Sequence, residues 1–312
     1  MSSRIDICIC TFRRPGGLAA CLEGISRQVL QASGDDVPDV RVLVVDNDPA
    51  GTARTAAEAG SSDMPWPLDY VHEPQRGITH ARTRAVRSMR SDADWIAFLD
   101  DDEVPTPGWL AGLLETQRRY SADIVAGPVV PQLEGHVPDW MSAGRFFDRQ
   151  RHPTGTTVVD TGTGNVLIRA ELLRAIEEPF DHRLALTGGE DTHLFMRLRR
   201  HGHAIHWCDE AIVIESVPVS RARVPWLLRR AWRGGMTYVH CERMVSPSLA
   251  TAGNRAARGA FRVLRGLLLA ASGLVRGRAV SLRGVLLAVN GAGVLVGLMG
   301  RTYSEYEHTH GS

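Results

Sequence analysis

The sequence predicts an α/β protein with a mostly parallel central sheet flanked by helices, and three observations carry that prediction. Short apolar runs recur through the first half, several of them β-branched throughout, as strands buried on both faces require. Helical patterns fill the intervals between the runs, the alternation that builds βαβ units. Polar residues stand directly after each run, at the strand ends where open α/β sheets bind their ligands.

In chain order, strands are expected at 5–10, 40–46, 68–72, 95–99 and 124–130, with helices near 15–31, 52–59, 77–90 and 107–120 between them. Beyond residue 131 the rhythm breaks. Pro131, Pro138, Pro153, Gly155 and the Gly162–Thr163–Gly164 run mark loops around a short strand at 165–169, followed by a helix at 190–200 and an extended stretch at 205–214.

Composition agrees with a globular protein: 312 residues, 44% hydrophobic, 36 basic against 35 acidic side chains. It excludes a disordered chain, a collagen and a disulfide-stapled miniprotein. Five cysteines without a framework spacing suit a reducing compartment, and the apolar stretch at 5–12 is too short for a signal core. An intracellular protein is expected.

The near-neutral charge hides an asymmetry. Every basic residue is arginine, and residues 243–301 hold nine of them with no aspartate or glutamate, whereas residues 1–242 hold 33 acids against 27 arginines. In residues 259–300 arginines alternate with leucine, valine and phenylalanine at near-helical spacing, the pattern of amphipathic helices lying in an anionic membrane interface. The longest uncharged run, 284–300, has 17 residues, short of the roughly 20 that a spanning helix needs. A helical pair packed on the preceding domain is the other reading. Nucleic acid is not expected, because aromatic side chains do not interleave with the arginines.

Four motifs carry chemistry. WIAFLDDDEVPTPGWL runs a strand into Asp100, Asp101, Asp102 and Glu103, either a solvated acidic turn or helix N-cap before Pro105 or, since stacked carboxylates call for a compensating cation, a metal site with Asp100 and Asp102 as candidate ligands. LTGGEDTHLFMRLRRHG places Glu190 and Asp191 in a first helical turn, where an acid either caps the helix or serves as a general base. EPQRGITHARTRAV starts a helix at Gly77 with Arg82 and Arg84 near its first turns, either holding a diphosphate or solvated. VDTGTGNVLIRAELL leads a Gly/Thr-rich loop into Asn165. His201, His203, His206 and Cys208 lack a second ligand pair for zinc, and Cys8 and Cys10 share one strand face as core residues.

Taken together, ICICTFRRP, VLVVDNDP, EPQRGITHARTRAV, FLDDDEVP, TGNVLIR and GGEDTHLFMRL, in this order over residues 4–200, resemble the family 2 glycosyltransferases with the GT-A fold, in particular bacterial exopolysaccharide and succinoglycan-type glucosyltransferases. The resemblance implies a GT-A catalytic domain over 1–220, with a nucleotide-binding half to about 130 and an acceptor half over 131–220, and a basic helical tail over 221–312. It implies that Thr11 and Arg13 contact the nucleotide, that Asp46 reads the base and that Arg82 faces the diphosphate. Asp100 and Asp102 match the DxD carboxylates around Asp101, Asp102 being the direct ligand of Mg2+ or Mn2+. Asp191 matches the catalytic base, with Glu190 its neighbour.

The implied activity is inverting, metal-dependent transfer from a nucleotide diphosphate sugar, UDP-glucose favoured, to a hydroxyl of a lipid-linked saccharide in cell-surface polysaccharide synthesis. The implied location is cytoplasmic, peripheral on the inner face of the cell membrane. Two departures stand out: Thr83 follows Arg82 where the family has asparagine, and Glu215 stands where many relatives carry a histidine. Without a QxxRW motif, one sugar per acceptor is expected. A sugar-1-phosphate nucleotidyltransferase and a non-catalytic, membrane-recruited nucleotide-sugar-binding module are the rival readings.

Overall fold

A computed structural model describes residues 3–30 and 37–301. The chain alternates as the apolar runs demand: β1 (Arg4–Thr11), α1 (Pro15–Ser26), β2 (Asp39–Asp46), α2 (Arg54–Ser61), β3 (Leu68–His72), α3 (Ile78–Ser88), β4 (Trp95–Asp100), β5 (Glu103–Pro105) and α4 (Trp109–Tyr120). Then follow β6 (Ile124–Ala126), β7 (Val129–Leu133), α5 (Asp139–Gly144), β8 (Thr157–Val158), β9 (Asn165–Arg169), α6 (Ala170–Arg174), α7 (Glu190–Arg200), β10 (Ile205–Trp207) and β11 (Val213–Val217). Three long helices close the chain: α8 (Val224–Val245), α9 (Leu249–Arg276) and α10 (Arg278–Leu298). The first helix stops at Ser26, short of the expected 31, a residue outside the described ones.

The main sheet runs β3-β2-β1-β4-β9-β6-β10-β8, and its first four strands are parallel. β9 is antiparallel to both β4 and β6, and β8 to β10. Alternation along each strand sorts the core into two layers. Ile5, Ile7, Ile9, Val42 and Val44 face α1 and α4 on one side; Cys8, Cys10, Leu43, Val45 and Phe98 face α3 and α7 on the other. The register sets Thr11 beside Asp46 and Cys10 beside Asp100, so three strand ends open at one edge.

Two expected strands are each two. The run at 124–130 breaks at Gly127–Pro128 into β6 and β7, and that at 205–214 breaks into β10 and β11. In both places the chain leaves the main sheet for a second, three-stranded sheet, β5-β11-β7. Gly127 sits at the crossing because a Cβ there would lie 2.3 Å from the Ala211 carbonyl oxygen. The second sheet pairs Glu215 with Glu103 and so builds one wall of the cleft.

The tail is continuous with this body. Leu227 of α8 and Leu282 of α10 share a core with Val137, Met141, Phe147 and Val217. Arg283 donates to the Gly144 carbonyl at 2.9 Å. The change near residue 220 is therefore one of architecture, with packing unbroken across it. α9 and α10 form an antiparallel hairpin turning at Gly277. α9 is amphipathic, with Phe261, Leu264, Leu267, Leu268, Leu274 and Val275 exposed. α10 differs from the amphipathic expectation: its apolar residues are not gathered on one face, and with 21 residues and a mean hydropathy of 1.8 it is long and apolar enough to cross a membrane by length and composition.

Candidate active site

The acids after β4 do not project together. Asp101 is buried, accepting hydrogen bonds from the Thr11 hydroxyl at 2.8 Å and from Arg14 at 3.1 Å. It ties the ends of β1 and β4 to each other. Asp102 shares that Arg14 nitrogen, and it and Asp100 remain accessible, at 20% and 41% side-chain exposure. Arg82 donates to Asp100 Oδ1 at 3.1 Å, and Arg14 and Arg221 approach Asp102 Oδ2 at 2.8 and 3.4 Å. On both residues the second carboxylate oxygen has no partner among the described residues.

The compensating charge that the acidic run calls for is thus largely guanidinium, delivered from three distant segments. Glu103 behind them is fully buried against Gly164, and burial raises its pKa well above the carboxylate range. Glu215, in place of the expected histidine, is paired with Arg149 at 2.7 Å and Arg221 at 3.6 Å. Burial also raises Asp102, and lifts Asp101 to about 6, with Arg14 opposing both shifts.

Arg82 spans the cleft. Its guanidinium is buried, bonded to Asp100 on one side and to Glu190 on the other. The β4 acids and the first turn of α7 thereby become one constellation, although 90 residues separate Asp100 from Glu190. Burial pushes Glu190 up to about 7, against the pull of Arg82, and its Oε2 has no partner. Asp191 is half-buried and accepts from its neighbour Thr192 N at 2.6 Å. Its Oδ2 lies 3.2 Å from where a Cβ on Gly162 would be, so the Gly/Thr-rich loop closes over it. Asp160 on that loop is lifted to about 6 by burial and by Asp191. Several carboxyls with raised pKa values in one cleft are the mark of a chemical site.

Three expected contacts differ. Asp46 is fully buried, and its oxygens accept from Asp48 N at 2.9 Å, Ala53 N at 2.8 Å and the Tyr70 hydroxyl at 2.9 Å, so it holds the loop after β2 and has no free face with which to read a base. Thr11 is buried and committed to Asp101. Arg82, the third, is held between the Glu190 and Asp100 carboxylates. Arg13, by contrast, is exposed, held at a left-handed φ of 55° with its Nε 3.2 Å from Asp48. Asn165 is a core clamp: it accepts from Trp109 Nε1 at 2.7 Å and donates to the Pro128 and Ala211 carbonyls. Sequence reasoning passed over Arg14, Arg149 and Arg221; only the RRP run after β1 hinted at the first of them.

Among the described residues no group of three or more His, Cys, Asp or Glu is gathered as a metal-ligand set. Two accessible carboxylates, each with one uncommitted oxygen, do suit a hard divalent cation of the kind that takes one or two carboxylates and completes its shell with phosphate oxygens.

Residues 6–176 match the model of Glycosyl transferase family 2. The chain belongs to that family. A second model, Glycosyl transferase family group 2, matches residues 95–299 and so extends through the tail helices. The chain is 36% identical over 237 residues to the succinoglycan biosynthesis protein ExoM of Rhizobium meliloti (strain 1021), covering 75% of this chain and 74% of that one.

Two solved structures share the fold. The mannosyltransferase PcManGT from Pyrobaculum calidifontis, in complex with GDP-Man and Mn2+, has a TM-score of 0.61 at 18% identity, covering 95% of this chain and 88% of that one. S. aureus TarS 1-349 in complex with UDP has a TM-score of 0.53 at 14% identity, covering 96% and 92%. The family 2 membership makes this chain a glycosyltransferase of the GT-A fold and sets aside both rival readings.

Proposed function

We propose that this family 2 enzyme transfers a sugar, with inversion, from a nucleotide diphosphate sugar to a hydroxyl of a lipid-linked saccharide in cell-surface polysaccharide synthesis. UDP-glucose is the favoured donor. The observation that carries the reading is the Arg82 bridge, which sets Asp100 and Asp102 and the Glu190–Asp191 pair on either side of one guanidinium. The likeness to ExoM supports the polysaccharide setting.

Asp191, half-exposed at the start of α7, takes the proton from the acceptor hydroxyl as its oxygen attacks the anomeric carbon from the face opposite the leaving group. An α-linked donor then gives a β-linked product. Glu190, held by Arg82, fixes the first turn of α7 and with it the aim of Asp191. Asp100 and Asp102 are the residues that would hold Mg2+ or Mn2+, which supplies charge neutralisation for the departing diphosphate. Arg13 faces the nucleotide from the loop after β1, its Nε 3.2 Å from Asp48, while Thr11 and Asp101 position the strand ends beneath it. The exposed face of α9 lays the enzyme on the inner face of the cell membrane.

Calorimetric titration with UDP, dTDP and GDP, each with and without manganese, tests the reading. One nucleotide is expected to bind tightly with manganese, and its affinity to fall sharply in chelator and again in Asp102→Ala. Binding of every nucleotide at the same strength in chelator would overturn the metal role.

A further inference from the structure

Outside the cleft, a cavity of about 390 Å³ opens along the seam between α7 and the end of α8. That volume lies within the range of small-molecule sites, about 300–1,000 Å³. Of the acids on its wall, Asp181 is paired with Arg183, accepting from its Nη2 at 2.6 Å and its N at 2.9 Å, while Glu178, on the exposed rim, accepts from His182 N at 3.1 Å. Two cations on the wall have donors to spare. Arg197 and Arg200 each give one nitrogen to a backbone carbonyl, of Glu178 at 2.8 Å and of Val245 at 2.6 Å, and neither has a carboxylate partner among the described residues. His193, one turn before Arg197 on α7, also lines the cavity; it is 5% exposed, and its Nδ1 has no hydrogen-bond partner among the described residues. An orphaned buried ring nitrogen beside two guanidiniums with donors to spare is an arrangement completed by an anion.

We infer that this cavity binds a phosphate group carrying at least two ionisable oxygens, a phosphate monoester or a diphosphate. Arg197 and Arg200 take its oxygens through paired N–H donors, and His193 donates from Nδ1. The guanidinium fork suits tetrahedral phosphate better than a single carboxylate, because several oxygens can be met at once. Two sources share this chemistry. Val245 forms part of the wall and lies four residues before α9, whose outer face is apolar and basic, so a lipid headgroup can reach the site; a soluble phosphorylated sugar is the other source.

The site is independent of the donor cleft, whose proposed residues do not line it. The test is calorimetric titration of the full chain with inorganic phosphate, for the wild type and for Arg197→Gln/Arg200→Gln. Saturable binding that weakens tenfold or more in the double variant, with an unchanged thermal midpoint, is expected. Absence of saturable binding to the wild type, or equal binding by the double variant, would overturn the inference whatever the donor titrations give. Sedimentation with phosphatidylcholine vesicles with and without phosphatidic acid separates the sources. If the double variant loses only the increment that phosphatidic acid adds, the ligand is a lipid; if phosphate binding is lost and sedimentation is unchanged, it is soluble.

Discussion

At the scale of single residues, Arg82 carries more than one duty, and its loss is costly for a definite reason. Arg82→Met leaves Glu190 buried without its counter-charge, a change that commonly costs about 3–5 kcal/mol; urea unfolding should show it. The protonation of Glu190 gives a second measurable effect. Its pKa stands at about 7 in the folded chain, above the ordinary carboxyl value of 4.5. Between those two values the folded state keeps a proton that the unfolded state has released, so stability falls as pH rises through that window. Glu190→Gln is expected to flatten the fall, measured as the denaturation midpoint from pH 4.5 to 7. Asp191→Asn leaves nucleotide binding alone and lowers turnover by about 10²- to 10⁴-fold, the usual effect of removing a general base. Near-native turnover of a folded Asp191→Asn protein would assign the base elsewhere.

At the scale of elements, the first turn of α7 is set by what lies beneath it. Gly189 adopts a φ of 93°, a Cβ there would fall 2.2 Å from Thr237 Cγ2, and the Cys241 thiol donates to the Gly189 carbonyl at 3.2 Å. Gly189→Ala should therefore destabilise by about 1–3 kcal/mol, as overpacking does, and lower turnover more than nucleotide affinity, since the base-bearing turn moves and the strand ends do not. Part of this was readable in the chain. The parallel strands were, because continuous β-branched runs have few other uses; the acids at 100, 102 and 191 stand out in the chain because they cluster at strand and helix ends, and the fold brings them to one cleft around Arg82. The division of 124–130 between two sheets was not: an apolar run records burial and says nothing of which sheet buries it. Arg14, Arg149 and Arg221 escaped for a related reason. A loop arginine reads as solvated until the carboxylate it meets, up to 119 residues away in the chain, is brought beside it.

At the scale of the whole molecule, charge and apolar surface coincide on one side. Arg258 and Arg265 are exposed on α9 among Leu264, Leu267 and Leu268, while residues 243–301 carry no acid at all. Each arginine near an anionic surface contributes roughly 1 kcal/mol, so binding should be strong on phosphatidylglycerol vesicles, weak on neutral ones and reduced in high salt. Leu264→Glu/Leu268→Glu should abolish flotation with the vesicles while calorimetric nucleotide binding persists. Flotation that survives both substitutions would place the contact on another surface.

The seating of α8 against Gly189 also bears on where this enzyme can be shortened. A chain ending at residue 220 would retain all eleven strands and each carboxylate of the cleft. It would nonetheless lose Thr237 and Cys241 from beneath the base-bearing turn, and would bare Val137, Met141 and Phe147 to water. Removing the α9–α10 hairpin is thus a different operation from removing the tail. The helix at Val224–Val245 packs beneath the first turn of α7, and a shortened form that keeps it is expected to turn over where one that lacks it is not.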